Sequence, residues 1–255
     1  MAPAINTSIE LRDLSISSEM LLDFEYPGLQ EDSAICIGLS IDWRHTQTLH
    51  DYCIRHTHVD EHARADRFLK KDDSLRHLLG RALLRRLAIR YGQMVPNQPI
   101  PSNEWGKPQP VAFPLCCNIS HSGNQVWAAI ANFPNAGIDV ESAIAPSGYR
   151  DIIKNFHPHE TAALFSVPDT QDAVMRCWTR KEAVCKAIGM GFGIPLSDYA
   201  VDCGIKPDSW LRVSPNLSQS QDWTTIDLPV EKDFVGALAV EGRCTKVTII
   251  RLNII

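Results

Sequence analysis

No run of apolar residues in this chain approaches the ~18 that a membrane-spanning helix needs, so no span and no membrane partner are expected. Met1 to Glu10 lacks a basic segment and an apolar core, so no secretory signal is expected. The eight cysteines include no CxxC spacing, and only Cys116 and Cys117 are adjacent. They read as reduced thiols of a cytoplasmic protein rather than as zinc ligands or a disulfide framework. A strong positive balance is also missing. The net charge of −5 argues against a general nucleic-acid binder.

What is present reads as an ordinary folded protein. The hydrophobic fraction is 44%, and 255 residues suffice for one large domain or two small ones. The charge is unevenly spread. From Arg64 to Arg90 there are nine Lys or Arg (Arg64, Arg67, Lys70, Lys71, Arg76, Arg81, Arg85, Arg86, Arg90) against three Asp. Such a segment is either a solvated helix face or a site for a multiply anionic ligand or an acidic protein.

Residues 1–33 show no strong period and read as a leader. A strand is expected over 34–41. Asp60 to Tyr91 has helical periodicity, with Leu69, Leu75, Leu78, Leu79, Ala82, Leu83 and Leu87 as its apolar stripe, and Gly92 as a stop. Residues 93–117 hold six prolines and read as loop. A hairpin is expected over 118–133, turning at Ser122-Gly123-Asn124. Helices are expected at 149–166 and 170–188. Strands are expected near 198–203, 210–213, 223–228, 234–240 and 245–252. The basic helices near residues 72 and 172 align at an offset of 100, Arg81 and Arg86 opposite Lys181 and Lys186. That hints at two α+β halves with a cleft between them, where ligands often bind.

Two acidic motifs about 40 residues apart carry the chemistry. Gly137-Ile138-Asp139-Val140-Glu141 reads as a strand, which puts Asp139 and Glu141 on one face. Trp178-Thr179-Arg180-Lys181-Glu182-Ala183-Val184-Cys185-Lys186-Ala187 reads as a helix, with Glu182 and Lys186 one turn apart. Taken singly, these are a surface strand and a helical Glu–Lys pair. If they meet, three carboxylates converge beside one ammonium. That is a ligand set for a hard divalent cation, which tends to keep substrate phosphates in its shell.

Further motifs stand in order: Arg67-Phe68 with Asp73-Ser74-Leu75-Arg76-His77-Leu78-Leu79-Gly80; Trp105-Gly106-Lys107-Pro108; and Asn118-Ile119-Ser120-His121-Ser122-Gly123. With the acidic pair they span about residues 60–193. The set resembles the phosphopantetheinyl transferases of the larger, surfactin-synthetase-activating type. The resemblance implies an α+β fold of two pseudo-symmetric subdomains, residues 1–135 and 136–255, in one monomeric chain with the active site between them. It implies Mg²⁺-dependent transfer of the 4′-phosphopantetheine arm of coenzyme A to a serine of an apo acyl or peptidyl carrier protein, releasing adenosine 3′,5′-bisphosphate.

By the same resemblance, Asp139, Glu141 and Glu182 are the metal ligands. Asp139, Glu182 and Lys186 are catalytic, with Glu182 as general base and Lys186 at the leaving phosphate. Coenzyme A would meet Arg64, Arg76, Trp105, Gly106, Lys107, Ser120, His121 and Lys186. Of these, Arg64 and Arg76 lie near the 3′-phosphate, and the backbone at Trp105 and Gly106 near adenine. Trp178 would anchor its helix by packing. Glu61 stands where a relative carries a basic phosphate contact. The 3′-phosphate is therefore expected to have fewer cations, or another such as Lys70 or Lys71. His77 stands where some relatives carry a hydroxyl and is given no role.

Three other signals are set aside. Gly189-Met190-Gly191-Phe192-Gly193 follows a helix instead of opening one, and reads as a helix stop. His157-Pro158-His159-Glu160 and His56-Thr57-His58 lack partners at zinc spacing. Two other functional classes fit the carboxylates: a different Mg²⁺-dependent phosphoryl or nucleotidyl transferase, and an inactive homologue that only binds coenzyme A or a carrier. The carrier partner is expected to be acidic, steered by the basic segment 64–90.

Overall fold

The computed structural model describes residues 7–17, 24–92, 94–112, 114–166, 170–203, 208–211 and 223–254. In chain order the first elements are β1 (Ser8–Ile16), β2 (Ser33–Ser40), α1 (Thr46–His56), α2 (Val59–Ala65) and α3 (Lys71–Gly92). Next come β3 (Leu115–Ser122), β4 (Gln125–Asn132) and β5 (Ala136–Ser142), then α4 (Tyr149–Ile153), α5 (Pro158–Ser166) and α6 (Thr170–Ile188). The chain closes with β6 (Asp208–Leu211), β7 (Trp223–Asp227), β8 (Phe234–Glu241) and β9 (Lys246–Ile254).

These strands form a five-stranded sheet, order β1-β9-β2-β4-β3, and a four-stranded sheet, order β5-β8-β7-β6. β9 runs parallel to both β1 and β2, whereas β2–β4 and β3–β4 are antiparallel. The smaller sheet is antiparallel throughout. The larger sheet therefore takes its second strand from the end of the chain.

Side-chain alternation sorts these strands into three cores. Ile35, Ile37 and Leu39 of β2 face Leu75, Leu78, Leu79, Leu83 and Leu87 of α3. The intervening Ala34 and Cys36 join Ile138, Val140, Leu238 and Val240 from the other sheet. Ala237 and Ala239 of β8 turn instead to Val184 and Ala187 of α6. The layers thus run helix, sheet, sheet, helix. Strands covered on both faces read as continuous apolar runs, as β2 and β4 do. Each fully buried Leu or Ile contributes about 1.5–3 kcal/mol.

One glycine sets how closely α6 approaches. A Cβ on Gly137 would lie 2.1 Å from the Ala183 carbonyl oxygen and 2.4 Å from the Ala187 nitrogen. The backbone of α6 thus rests directly on β5. Gly189 then ends the helix with φ +76°, its N–H donating to Cys185 O at 2.9 Å.

Several expectations are corrected. Residues 8–16 are a strand, because the partner that orders them lies some 240 residues away. The helix expected over 60–91 is two, broken at 66–70, and Leu69 is fully exposed there instead of joining the apolar stripe. The helix expected over 149–166 is also two, since Pro158 supplies no backbone N–H and starts a new helix. Residues 199–203 form no strand, and Leu196–Asp198 is a 3₁₀ turn. Residues 208–211 are the strand placed near 210–213, of which 212 and 213 lie outside the described residues. α1, with Leu49, Tyr52 and Cys53 buried, went unread.

Candidate active site

The two sheets meet where β3, the edge of one, lies beside β5, the edge of the other. No ladder joins them, so the free N–H groups of β5 need other acceptors. Alternate side chains of β3 provide them. Asn118 Oδ1 accepts from Ile138 N at 3.0 Å, and Ser120 Oγ accepts from Val140 N at 3.2 Å. Ser120 Oγ in turn donates to Asp139 Oδ1 at 3.0 Å, and Ser122 Oγ donates to Glu141 Oε2 at 3.2 Å. The polar alternation Asn118, Ser120, Ser122 in a strand is the signal that reveals this seam; Asn118 and Ser122 stand in the motif of the sequence analysis, but of the three only Ser120 is given a site role there.

From α6, the Lys186 ammonium donates to Asp139 Oδ1 at 2.6 Å and to Ser120 Oγ at 2.8 Å. Asp139 is buried, and its Oδ2 has no hydrogen-bond partner among the described residues. Such an orphaned carboxylate oxygen is costly unless a ligand completes it. Glu182 is pushed up to about 7, by desolvation first and then by Asp139. Glu141 is also raised, by desolvation and then by Asp139. Three carboxylates crowd one another here with one ammonium among them, and a cation would relieve that repulsion.

Glu182 and Lys186 line a cavity of about 260 Å³ together with Trp105, Gly106 and Lys107. The loop carrying the last three is built by Asn103, which sequence reading missed. Its Oδ1 accepts from Trp105 N at 3.0 Å and Lys107 N at 2.8 Å, and its Nδ2 donates to Gly189 O at 2.8 Å. Gly106 takes φ +85°, a conformation that disfavours a side chain. The Lys107 ammonium is turned inward, donating to Ala187 O at 2.5 Å and Ala136 O at 3.2 Å.

The other basic residues divide. Arg64 lines a separate cavity of about 560 Å³ with Arg67 and Phe68. Arg76 lies at the β3–β4 turn, donating to Gly123 O at 2.7 Å, paired with Asp73 and stacked over Trp43. His121, on β3, is held below the usual imidazole pKa by desolvation, then by Lys186 and Arg76. Arg81 and Arg85 are not free for a ligand, because Glu61 binds both, at 2.9 and 3.0 Å. Within 64–90 the exposed cations are Arg64, Arg67, Lys70 and Lys71, clustered around the α2–α3 break, and Arg90 at the far end of α3. The basic surface is therefore narrower than the segment 64–90.

Glu61 also accepts from His58 N at 2.8 Å, closing a capping box on α2. α5 repeats the arrangement. Glu160 accepts from His157 N at 3.0 Å and binds Lys181 Nζ at 2.7 and 2.9 Å. Lys181 is fully buried, donates to Tyr199 O at 2.8 Å and lies over the Tyr199 ring. His58 and His157 each accept at Nδ1 from the N–H two residues on. These histidines cap helices. Trp178 stacks with Phe156, ring centroids 6.2 Å apart.

A family model described as the 4′-phosphopantetheinyl transferase superfamily matches residues 135–239. The chain is 36% identical over 140 residues to 4′-phosphopantetheinyl transferase gsp of Aneurinibacillus migulanus, covering 53% of this chain and 57% of that one. To 4′-phosphopantetheinyl transferase HetI of a Nostoc strain it is 31% identical over 191 residues, covering 72% and 78%. To 4′-phosphopantetheinyl transferase Sfp of Bacillus subtilis it is 32% identical over 139 residues, covering 53% and 61%. The matches to gsp and Sfp thus span less than two thirds of those proteins.

Proposed function

Because the chain belongs to the 4′-phosphopantetheinyl transferase superfamily, we propose that it moves the phosphopantetheine arm of coenzyme A onto a serine of an apo acyl or peptidyl carrier protein. The observation that carries this reading is the Asp139 carboxylate: one oxygen held by Lys186 and Ser120, the other orphaned, with Glu141 and Glu182 crowding it. All three donors are hard oxygens, so the set fits a hard divalent cation such as Mg²⁺. Asp139, Glu141 and Glu182 would hold that ion, whose chemistry is to neutralise charge at the pyrophosphate.

The side chains then divide the work. Glu182 takes the proton of the carrier serine as general base. The serine oxygen bonds to phosphorus, and the bond from phosphorus to the departing adenosine 3′,5′-bisphosphate breaks. Lys186 offsets or protonates the oxygen that leaves. Arg64, Arg76, Ser120 and His121 are assigned to the phosphates of coenzyme A, and the backbone at Trp105 and Gly106 to adenine. Lys107 would exchange its carbonyl partners for a phosphate. Arg67, beside Arg64, replaces the cation missing at Glu61.

The halves 1–135 and 136–255 are read as pseudo-symmetric, with the site in the cleft between them. What supports this is the repeated device of capping histidine, buried glutamate and long-helix cation: His58, Glu61, Arg81 and then His157, Glu160, Lys181. The protein is proposed to act as a cytoplasmic monomer on an acidic carrier, steered by Arg64, Arg67, Lys70 and Lys71.

The test is to incubate the protein with coenzyme A, Mg²⁺ and apo carriers, then weigh the carrier intact. One added phosphopantetheine on a serine, lost with EDTA and with Asp139→Ala, is the expected result. No gain on any carrier class while coenzyme A still binds would overturn the transferase reading in favour of a binding module.

A further inference from the structure

Away from the carboxylates, two cysteines from separate elements meet. Cys203 Sγ lies 3.0 Å from Cys177 Sγ, close enough that a small shift reaches the ~2.05 Å of a disulfide. Cys177 is buried on α6, five residues before Glu182, and Cys203 is partly exposed in the segment after Tyr199. Glu160 lies with them, all three ligand atoms within 4.8 Å of one another. A cation there would need a free carboxylate lone pair. Glu160 already accepts four hydrogen bonds, two from Lys181, one from Val201 N and one from His157 N. The geometry leaves the two sulfurs to each other.

We propose that Cys177 and Cys203 form a redox-active dithiol, oxidised to a disulfide by hydrogen peroxide arriving at Cys203. The Cys203 sulfur attacks the peroxide, the O–O bond breaks, and a sulfenic acid and one water form. The Cys177 sulfur then attacks the sulfenic sulfur. The S–S bond forms, the S–O bond breaks, and the hydroxyl leaves with the Cys177 proton as a second water. Two thiols are oxidised by two electrons and the peroxide is reduced.

Access makes the pair selective. Of the eight cysteines Cys116 and Cys203 are partly exposed, Cys185 shows only a small area at the cavity beside Glu182, and the others are buried. Cys116 and its neighbour Cys117 point to opposite faces of β3, so they do not bridge easily. The disulfide would tie α6 to residues 199–203, whose Tyr199 carbonyl and Val201 N–H hold Lys181 and Glu160. It closes a loop between positions 26 apart, which restricts the unfolded chain.

The experiment exposes the full native protein to hydrogen peroxide, then denatures, alkylates and weighs it. Expected are two fewer alkylatable thiols than the eight present, a Cys177–Cys203 cross-linked peptide and full reversal by dithiothreitol. The melting temperature should rise on oxidation in the wild type and stay unchanged in Cys203→Ser. Cys177→Ala is the second variant. Sulfinic or sulfonic products without a cross-link, or a cross-link that survives in Cys203→Ser, would overturn the proposal. None of these readings depends on transfer activity, so they stand apart from the proposed function.

Discussion

Lys186 and Asp139 form an ion pair of 2.6 Å that uses only one of the two carboxylate oxygens. The other oxygen is buried and has no partner among the described residues, and it faces a site where Glu141 and Glu182 are both held above their ordinary range. The pair therefore orients Asp139 without saturating it.

A divalent cation should stabilise the protein. At a Mg²⁺ concentration 100 times its dissociation constant, the gain is about 2.7 kcal/mol, seen as a higher melting temperature and abolished by EDTA. Asp139→Asn should lose this gain. A cation-induced shift of full size in that variant would show that the ion binds elsewhere.

Gly137→Ala tests the contact that places α6. The added methyl collides with backbone at Ala183 and Ala187, which cannot swing away as a side chain would. A loss of about 1–3 kcal/mol in urea unfolding is expected, with transfer falling further than the residual fold accounts for. An unchanged midpoint would mean that α6 sits farther from β5.

The buried Glu160–Lys181 pair should be costly to break and cheap to replace. Glu160→Gln or Lys181→Met alone should cost about 3–5 kcal/mol, because each leaves a buried charge uncompensated. The double variant Glu160→Gln with Lys181→Met should cost less than the sum of the two. Additivity in the double-mutant cycle would rule out direct coupling.

His77 gives a pH dependence of known sign. It is lowered from 6.5 to about 4 by desolvation first, then by Arg64 and Arg81, and its Nε2 is buried without a partner among the described residues. As pH falls below 6.5 the unfolded chain takes up this proton and the folded protein does not. Wild type should therefore lose stability relative to His77→Gln from pH 6.5 down to about 4, with the difference constant above that window. A flat difference throughout would mean that His77 titrates normally in the fold.

Charge reversal at Lys70 and Lys71 should weaken capture of an acidic carrier. Transfer should show a raised carrier KM, an unchanged KM for coenzyme A and a smaller salt dependence. Equal salt dependence in variant and wild type would remove the steering role.

Much of this was legible locally. The helix at 170–188 carries its own apolar period, the Ser122-Gly123-Asn124 turn its own glycine, and Ile138 and Val140 alternate with Asp139 and Glu141. Each signal rests on neighbours a few residues apart, so the chain spells it out. Residues 8–16 alternate only in two short phases, Ile9 with Leu11 and Leu14 with Ile16, and β1 owes its order to β9 at the other end of the chain.

Which residues bear charge, where the carboxylates fall along a strand and a helix, and that the chain forms both helices and strands follow from the residues in order. What each charge does follows from which residues the fold brings together. The fold spent Arg81 and Arg85 on Glu61, Lys181 on Glu160, and the ammonium of Lys107 on two carbonyls. It left Asp139 Oδ2 with no partner among the described residues. The physical reason is that a buried charge must find its partner in space, and these partners stand from 20 to 80 residues away.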